Sequence, residues 1–568
     1  MIYENRLRDP IVLILVLILV LAFSLRIFGI WFGLPFVLHD DEPNEVLRAL
    51  QLGSGSYNFD RIEKGGYFYL LFIEFGGLFV VLKMIGIVQS TTDFAKYFIT
   101  DPTAFYLIGR GTTAVIGTIT VLLVYKIGRL AYSPIAGLMA AGLLAVNVLH
   151  AQHSHYIAVD VPMVCLGTAS LYYAIRMLHE KHSRNYYLAA MFAALAVSTK
   201  LPAALLVIPL TVAHFCYVTN LPYETRRYLL DQRLWLAAII FIGTYVIATP
   251  GIVVHFSRVF FDALDVFGLL SGNGGDVTDI ANPRAAAVEN INLFYFYATT
   301  ILNSMTSSVF LICISGFIWG IWKRRQSDLV LISFALAIYV FASISASIDL
   351  IYPRYVLPAI PVLTILGGRM LFDIGKLLFE SKKVLVITAV AIAAGIMPAF
   401  QIAAADLHMI KPDTRLIARA WINQNVPPGS MVFIEGATVR PYESTVPLQN
   451  SRDNLLRGVD YFRDKAPGKA KYFELELQVM RGNTYDLLTV TPDDLQSLQY
   501  YKDIGVQYFI LRPDSYGPTT KRFAWPKLVS EVQFDPEITL LKRFAPDSRA
   551  IRGPSIELYQ AETKANPD

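Results

Sequence analysis

The stretch that decides the fold is residues 11–36, IVLILVLILVLAFSLRIFGIWFGLPF, an apolar run that ends shortly before His39-Asp40-Asp41-Glu42. A run of about 20 apolar residues is long enough to cross the hydrocarbon core of a bilayer as a helix. It contains no small-residue cleavage site, so we interpret it as a retained membrane helix and not as a signal peptide. The acids follow at the point where this helix would leave the bilayer, and acids in that position indicate chemistry there.

The composition of the chain restricts its class. Of its 568 residues, 54% are hydrophobic and 17% are charged, and the mean hydropathy is +0.46. These values are typical of a polytopic membrane protein and exclude a soluble enzyme. The net charge of +4 is too small to indicate a nucleic-acid partner. Cys165, Cys216 and Cys313 all lie in apolar runs, so they form neither a disulfide framework nor a zinc-ligand pattern.

Further apolar segments recur along the first 405 residues, each long enough or nearly long enough to span. They are 11–36, 67–88, 106–125, 134–149, 157–178, 186–199, 201–218, 234–254, 294–322, 328–348, 355–372 and 384–405. Lys and Arg collect in the short cytoplasmic connections of membrane proteins. Several loops between the apolar segments of this chain are rich in Lys and Arg. These loops and the N-terminal residues Arg6 and Arg8 all lie on the cytoplasmic side only if one early segment does not cross the membrane.

We assign that exception to 67–88, because it contains Glu74, Lys83 and the pair Gly76-Gly77, which are unusual in a simple span. We expect this segment to lie on or dip into the outer leaflet. The fold class predicted is therefore a polytopic α-helical membrane protein with about 11 transmembrane helices and juxtamembrane helices in the first outer loop. The N-terminus is expected in the cytoplasm, and the membrane is expected to be the cell (inner) membrane.

The composition changes after residue 405, where Pro, Asp, Arg and Lys become frequent and no further span occurs. We predict a transmembrane catalytic domain over 1–405 and an extracytoplasmic soluble α/β domain over 406–568. Within the second domain, 412–425 has the pattern of an amphipathic helix, and 431–435 and 507–511 have the pattern of buried strands. The domain contains no phosphate-binding glycine loop and no nucleophile motif, so we do not place catalysis there.

The predicted topology gathers the unusual charged residues on the outer face. They are Asp40 to Glu45, Lys64, the stretch from His150 to Asp160, Lys200, the loop from Val254 to Asn292, and Asp349 to Arg354. This topology rests on the basic residues of the cytoplasmic side alone. It does not require the acids to lie together on the outer face. The clustering indicates an active site on this face.

The order and spacing of several motifs resemble those of GT-C type glycosyltransferases, the superfamily that includes protein O-mannosyltransferases and the aminoarabinose transferases of lipid A. The resemblance covers residues 10 to about 400. It is carried by Asp41-Glu42, by Glu63-Lys64, by HYIAVDVPM around Asp160, by AALAVSTKLPAALLVIPL (193–210) and by YPRYVLPAIPVLTILGG (352–368).

Two features depart from the branches of this superfamily. The aminoarabinose branch usually has Lys-Pro-Pro where this chain has Lys64-Gly65-Gly66. Protein mannosyltransferases of the eukaryotic type carry MIR repeats in a central outer loop, and here that loop is only Val254 to Asn292. The resemblance therefore favours neither branch.

The resemblance implies transfer of a sugar from a polyprenyl-phosphate donor to an acceptor hydroxyl of a protein, lipid or glycan on the extracytoplasmic face, with inversion. Asp41 is the candidate general base. Asp160 is the second candidate, sharing that role or orienting the acceptor, and Glu42 completes the catalytic set. A positioned carboxylate that accepts the hydroxyl proton contributes roughly 10² to 10⁴ in rate.

The leaving group is a lipid phosphate, so cations are needed where its negative charge develops. Arg354 is the preferred candidate, since a guanidinium can bind two phosphate oxygens, and Lys64 and Lys200 are the others. His255 and Tyr352 are candidates for acceptor contact or for a lid formed by the loop from Val254 to Asn292.

We expect no cofactor. Asp40, Asp41 and Asp160 could together hold a divalent metal, and so could the histidines of His150-Ala151-Gln152-His153-Ser154-His155, but the superfamily branches resembled here usually work without a catalytic ion. A transporter or flippase remains the alternative, although such proteins place coupling acids near the bilayer midplane and often contain internal repeats. A third class, an envelope scaffold with a degenerate site, is also open.

Overall fold

A computed structural model describes most of the chain. It covers residues 10–39, 41–53, 65–180, 182–222, 228–249, 251–257, 292–345, 352–378, 383–435, 445–490, 495–513 and 524–562. The candidate cation Lys64 and most of the candidate lid loop, 258–291, lie outside the described residues.

The first half of the chain is helical. Its helices are α1 (Pro10–Ile27), α2 (Glu42–Leu52), α3 (Gly66–Met84), α4 (Thr91–Thr100), α5 (Thr103–Ala131), α6 (Pro134–Ala145), α7 (Val148–His153), α8 (Asp160–Glu180), α9 (Ser183–Thr199), a 3₁₀ helix (Leu201–Leu206), α10 (Val207–Thr219), α11 (Gln232–Ala248) and α12 (Gly251–Val254).

The helices continue after the central loop. They are α13 (Leu293–Ser304), α14 (Ser307–Lys323), α15 (Gln326–Ser345), a second 3₁₀ helix (Pro353–Val356), α16 (Ala359–Leu378) and α17 (Lys383–Met409).

The helical part is that of a polytopic membrane protein, as predicted. Within the described residues, 7 helices are long and apolar enough to cross a membrane, or 8 if the bent pair α13 and α14 forms one span, and α6 and α11 are shorter apolar helices. Two shorter helices, α2 and α4, flank α3 where the sequence analysis expects juxtamembrane helices. α3 is itself long and apolar enough to cross, and its interfacial placement stays a prediction.

The apolar segment 294–322, counted as one candidate span in the sequence, forms two helices. The chain bends by 118° between α13 and α14. The break falls at Ser304-Met305-Thr306-Ser307, where Ser304 donates a hydrogen bond to the carbonyl of Ile301 (2.7 Å). Ser and Thr side chains offer the backbone alternatives to the helical hydrogen bonds, which favours a helix end in this stretch.

Small residues let the helices of the bundle approach closely. α6 and α16 are in contact over much of their length, and both contribute to the main buried cluster of apolar residues. A Cβ atom added to Gly368 of α16 would lie 2.5 Å from the backbone nitrogen of Ala140 in α6. Close helix contacts through small residues are typical of membrane bundles, where packing replaces the hydrophobic effect.

The C-terminal part is built around one sheet. Its elements are α18 (Thr414–Asn425), β1 (Met431–Glu435), α19 (Arg452–Phe462), α20 (Pro467–Val479), β2 (Asp486–Val490), α21 (Leu498–Asp503), β3 (Tyr508–Leu511), α22 (Ala524–Phe534), β4 (Ile538–Phe544) and β5 (Ile556–Ala561). The strand order is β2-β1-β3-β5-β4, with β1 parallel to β2 and β3, and β5 antiparallel to β3 and β4.

Alternate side chains of β1 enter two different apolar clusters, as expected for a strand covered on both faces. Val432 and Ile434 pack with Ile422 of α18, and Phe433 packs with Tyr501 of α21. The predicted α/β architecture is confirmed, with the helix predicted at 412–425 and the strands predicted at 431–435 and 507–511 in place. The division at 405/406 stays a prediction, and α17 continues to Met409.

The sheet-containing part contacts the segment between α1 and α2. Arg415 donates a hydrogen bond to the carbonyl of Leu38 (3.1 Å), and the guanidinium of Arg552 lies over the Phe32 ring at 5.3 Å. Asp413 accepts hydrogen bonds from Arg415 (2.8 and 2.9 Å) and pairs with Arg552 at 3.3 Å. The C-terminal part therefore supports the loop that leads to Asp41.

Candidate functional site

Four charged side chains from separate elements meet in one cluster. Asp41 directly precedes α2, Asp160 begins α8, Lys200 follows α9, and Arg354 lies in the second 3₁₀ helix. Arg354 Nη1 donates a hydrogen bond to Asp41 Oδ2, and Arg354 Nε lies 3.9 Å from Asp160 Oδ2. Lys200 Nζ donates to Asp160 Oδ1 at 2.6 Å. The structure thus brings together four of the residues that the sequence analysis selected.

The two aspartates of the cluster differ in environment. The Asp160 side chain is 4% exposed and has a cation near each oxygen, Lys200 on one and Arg354 on the other. The Asp41 side chain is 41% exposed and pairs with Arg354 through one oxygen. Asp41 is therefore the carboxylate that a solvent-borne hydroxyl can reach, whereas Asp160 is committed to its cations.

Arg354 is held by charges and by a ring. Its guanidinium lies over Tyr352 at 4.2 Å, a cation–π contact that orients the plane of the group. Burial lowers the pKa of Arg354, but the charges of Asp160 and Asp41 outweigh that effect and raise it above its ordinary value. Arg354 is therefore a permanent cation. Lys200 has a similar aromatic neighbour, since its Nζ lies 5.6 Å from the centre of the Tyr355 ring.

Two histidines, His39 and His153, border the cluster. Burial lowers the pKa of His153 to about 4, and Arg354 contributes to the same shift while Asp160 opposes it. The ring is therefore uncharged near pH 7. His39 stacks on Tyr156, with the ring centres 4.1 Å apart, and Asp41 donates its backbone N–H to His39 Nδ1 (3.3 Å). Within the described ranges, no three His, Cys, Asp or Glu side chains are arranged to hold a metal ion.

Glu42 lies beside the cluster in a separate, fully buried site. Arg110 Nε and Nη2 donate to its two carboxylate oxygens at 2.8 and 2.7 Å, and the backbone N–H of Ile157 donates to Oε1 at 3.0 Å. Arg110 Nη1 also donates to the carbonyls of Ile30 (2.6 Å) and Phe32 (2.9 Å). Glu42 thus ties the Asp41 loop to the segment that precedes Asp160.

Arg110 is not among the residues selected from the sequence. The available signal was an arginine inside the apolar segment 106–125, because an ionisable residue in a membrane span normally has a partner. Its partner, Glu42, is 68 positions earlier in the chain. No local spacing connects them, so only the folded arrangement identifies the pair.

Lys64 and His255 are two further residues selected from the sequence. Lys64 is outside the described residues. The next residue, Gly65, donates its backbone N–H to the carbonyl of Ser198 (2.8 Å), two positions before Lys200, and Gly66 donates to Ser198 Oγ (2.9 Å). His255 follows α12, and within the described part of the chain no contact joins its ring to the four charged side chains.

The pair Gly65-Gly66, a departure from the Lys-Pro-Pro pattern, has a structural reason. Both residues donate backbone N–H groups to Ser198, and proline has no N–H to donate. A Cβ atom at Gly65 would lie 1.8 Å from the carbonyl oxygen of Ala248. The glycines therefore let this segment pack against the ends of α9 and α11.

One protein-family model matches part of the chain. The model described as dolichyl-phosphate-mannose-protein mannosyltransferase matches residues 108–250, which include Arg110, Asp160 and Lys200. No curated protein matches the chain in sequence.

Solved structures of ArnT from Cupriavidus metallidurans share the fold. The structure bound to undecaprenyl phosphate has a TM-score of 0.52 and the apo structure has a TM-score of 0.53. Each is 14% identical to this chain, and each comparison covers 98% of this chain and 99% of that one. The oligosaccharyltransferase of Archaeoglobus fulgidus, tethered with an acceptor peptide, has a TM-score of 0.47 at 12% identity, covering 89% of this chain and 69% of that one.

Proposed function

Because the chain is an integral membrane protein with the GT-C type glycosyltransferase fold, we propose that it transfers a sugar from a polyprenyl-phosphate donor to an acceptor hydroxyl. The observation that carries the proposal is the cluster of Asp41, Asp160, Lys200 and Arg354. Two carboxylates and two cations from four separate elements provide a base for the hydroxyl and positive charge for a phosphate leaving group.

Asp41 is the general base in this proposal. It is the more exposed of the two aspartates, and its single recorded side-chain partner is Arg354 within the described residues. Asp160 is not the base, because Lys200 and Arg354 neutralise its charge. A carboxylate held between two cations is a weak proton acceptor but a rigid anchor. Asp160 therefore positions Lys200 and Arg354, and it orients the acceptor.

Arg354 and Lys200 bind the phosphate of the donor. Without a ligand, Arg354 pairs with Asp41. A donor phosphate that takes the place of Asp41 on Arg354 satisfies the guanidinium and leaves the Asp41 carboxylate free to accept a proton. Binding of the donor thus frees Asp41 to act as the base. While the donor is absent, Asp41 stays paired with Arg354.

The reaction then proceeds in one displacement. The acceptor oxygen attacks the anomeric carbon as its proton passes to Asp41. The bond between that carbon and the phosphate oxygen breaks, and its electron pair leaves with the polyprenyl phosphate, whose charge Arg354 and Lys200 stabilise. A single displacement inverts the anomeric configuration.

The cluster lies at one end of the bundle, where Asp160 begins α8, and we assign this end to the extracytoplasmic face. The support is the distribution of basic residues, because Arg176 and Lys323 lie near the opposite ends of α8 and α14. This position at helix ends also favours a transferase over a transporter, whose coupling acids lie near the midplane.

The test is transfer by the purified protein in detergent. Radiolabelled polyprenyl-phosphate sugars are offered with membrane extracts as acceptors, and wild type is compared with Asp41→Asn. The matched control is Asp460→Asn, which changes an acid that is 73% exposed on α19. The proposal expects labelled product with wild type and the control and none with Asp41→Asn. A panel in which no donor labels any acceptor and no donor binds would contradict it.

A further inference from the structure

A half-open cavity of about 460 Å³ lies between the end of α8 and the start of α9. α8 begins at Asp160 in the charged cluster and ends at Glu180, after 21 residues. At 1.5 Å per residue, such a helix is about 30 Å long, the thickness of the hydrocarbon core. The cavity therefore lies at the opposite membrane boundary from the cluster and is a separate site.

Two arginines line this cavity from different helices. Arg176 is near the end of α8, and Arg184 is in the first turn of α9. Arg176 donates from Nε to Glu180 at 2.8 Å and also from Nη2, so its Nη1 has no recorded hydrogen bond within the described residues. Arg184 is exposed at the cavity. Glu180 is the acidic residue of the lining. The charges of the two arginines exceed its charge, so the lining is positive.

The start of α9 adds backbone donors to the same cavity. His182 is the N-cap residue of this 17-residue helix, and its side chain makes no capping hydrogen bond. The first backbone N–H groups of a helix have no partners within the helix and carry the positive end of the helix dipole. Such a terminus favours an anion.

A buried side chain also lacks a partner here. Asn185 lines the cavity and is 3% exposed, and its amide nitrogen has no hydrogen-bond partner among the described residues. The Glu180 carboxylate lies close to it without completing a hydrogen bond of ordinary geometry. A buried donor without an acceptor is costly, so an acceptor atom in the cavity would stabilise it.

We propose that this cavity binds the phosphate group of an anionic ligand, and that its place at the membrane boundary selects a phospholipid headgroup. A phosphate group offers several acceptor oxygens for the guanidinium groups of Arg176 and Arg184, the amide of Asn185 and the first N–H groups of α9. Anionic headgroups are concentrated at this depth of the bilayer, which favours the lipid over free phosphate.

The test measures binding of a fluorescent short-chain phosphatidylglycerol to the full-length protein in detergent. The diacylglycerol with the same chains is the control ligand, since it lacks the phosphate. Arg184→Gln is the main variant, because the residue is exposed and its substitution leaves the core intact. Arg325→Gln is the matched control, an exposed arginine at the same end of the bundle, where His179 contacts Ser327 at 3.5 Å.

We expect wild type and Arg325→Gln to bind phosphatidylglycerol and not diacylglycerol, and Arg184→Gln to bind it roughly tenfold more weakly. Inorganic phosphate is added as a competitor. If millimolar phosphate displaces the lipid, the phosphate chemistry stands and the ligand is a soluble phosphate; if it does not, the headgroup is the ligand. Equal binding of the two lipids, or equal affinity in the two variants, would overturn the proposal.

Discussion

Arg110 holds Glu42 through two hydrogen bonds of 2.8 and 2.7 Å in a site where neither side chain is exposed. A third donor, the backbone N–H of Ile157, completes the coordination of Glu42. Because Asp41 precedes Glu42 and Asp160 follows Ile157 by three positions, this pair fixes the two candidate aspartates relative to each other. The acid next to Asp41 therefore positions the site.

Glu42→Gln should destabilise the protein. Removing one partner of a buried ion pair typically costs about 3–5 kcal/mol, because the other charge is left without compensation. Thermal unfolding in detergent measures the loss, and Asp460→Asn, which breaks an exposed pair with Arg463, should change the stability by no more than about 1 kcal/mol. A Glu42→Gln protein that melts like wild type but transfers no sugar would instead place Glu42 directly in catalysis.

Gly65→Ala should lower the melting temperature. The new Cβ atom would lie 1.8 Å from the carbonyl oxygen of Ala248, so the end of α11 must move relative to Gly65. Overpacking of this kind costs about 1–3 kcal/mol. Gly76→Ala is the matched control, since a Cβ atom there meets nothing within 4 Å. Equal melting temperatures for the two variants would show that Gly65 does not need its close contact.

Glu476 should make the stability of the protein depend on pH. Its carboxylate is buried in α20 with no hydrogen-bond partner among the described residues, and burial raises its pKa from 4.5 to about 7. The folded protein therefore binds the proton more tightly than the unfolded chain. Its contribution to stability is complete below pH 4.5 and is lost as the pH rises through 7, by up to about 3 kcal/mol.

Glu476→Gln removes this titration, so it should raise the melting temperature at pH 8 and have little effect at pH 4.5. The comparison is Glu474→Gln on the same helix, whose carboxylate is 44% exposed and pairs with Lys471. If both variants shift the melting temperature equally at the two pH values, the Glu476 carboxylate is not the source.

Arg415→Ala should slow transfer without weakening donor binding. Arg415 donates to the carbonyl of Leu38 in the loop that leads to Asp41, so its loss loosens the position of the base. A displacement of about 1 Å in a catalytic group can cost roughly 10²-fold in rate. Arg457→Ala is the control, since that arginine is 64% exposed and pairs with Asp486 away from the loop. Unchanged turnover in Arg415→Ala would show that the C-terminal part does not position the base.

The sequence predicted the elements of the fold and the charged residues that form the candidate site. Asp41, Asp160, Lys200 and Arg354 could be selected because each is an ionisable residue at the edge of an apolar segment. The sequence does not show which of these side chains is buried and which is exposed. That Asp160 is neutralised by two cations while Asp41 is half exposed depends on contacts between α8, α9 and the second 3₁₀ helix.

The features that could not be predicted from the sequence depend on packing between distant segments. Arg110 had no recognisable partner because Glu42 lies in a different segment, and the bend between α13 and α14 is hidden in an apolar run that Ser304 and Thr306 only briefly interrupt. The pair Gly65-Gly66 looked like a weakened motif until its contacts with Ser198 and Ala248 were visible.

The most direct test of the account separates donor binding from transfer. Binding of a polyprenyl-phosphate donor and its turnover are measured on wild type, Asp41→Asn and Arg354→Gln. Arg354 pairs with Asp41 when no donor is bound, so Asp41→Asn should bind the donor at least as tightly as wild type and transfer nothing, whereas Arg354→Gln should lose binding. Turnover by Asp41→Asn, or undiminished donor binding by Arg354→Gln, would contradict the account.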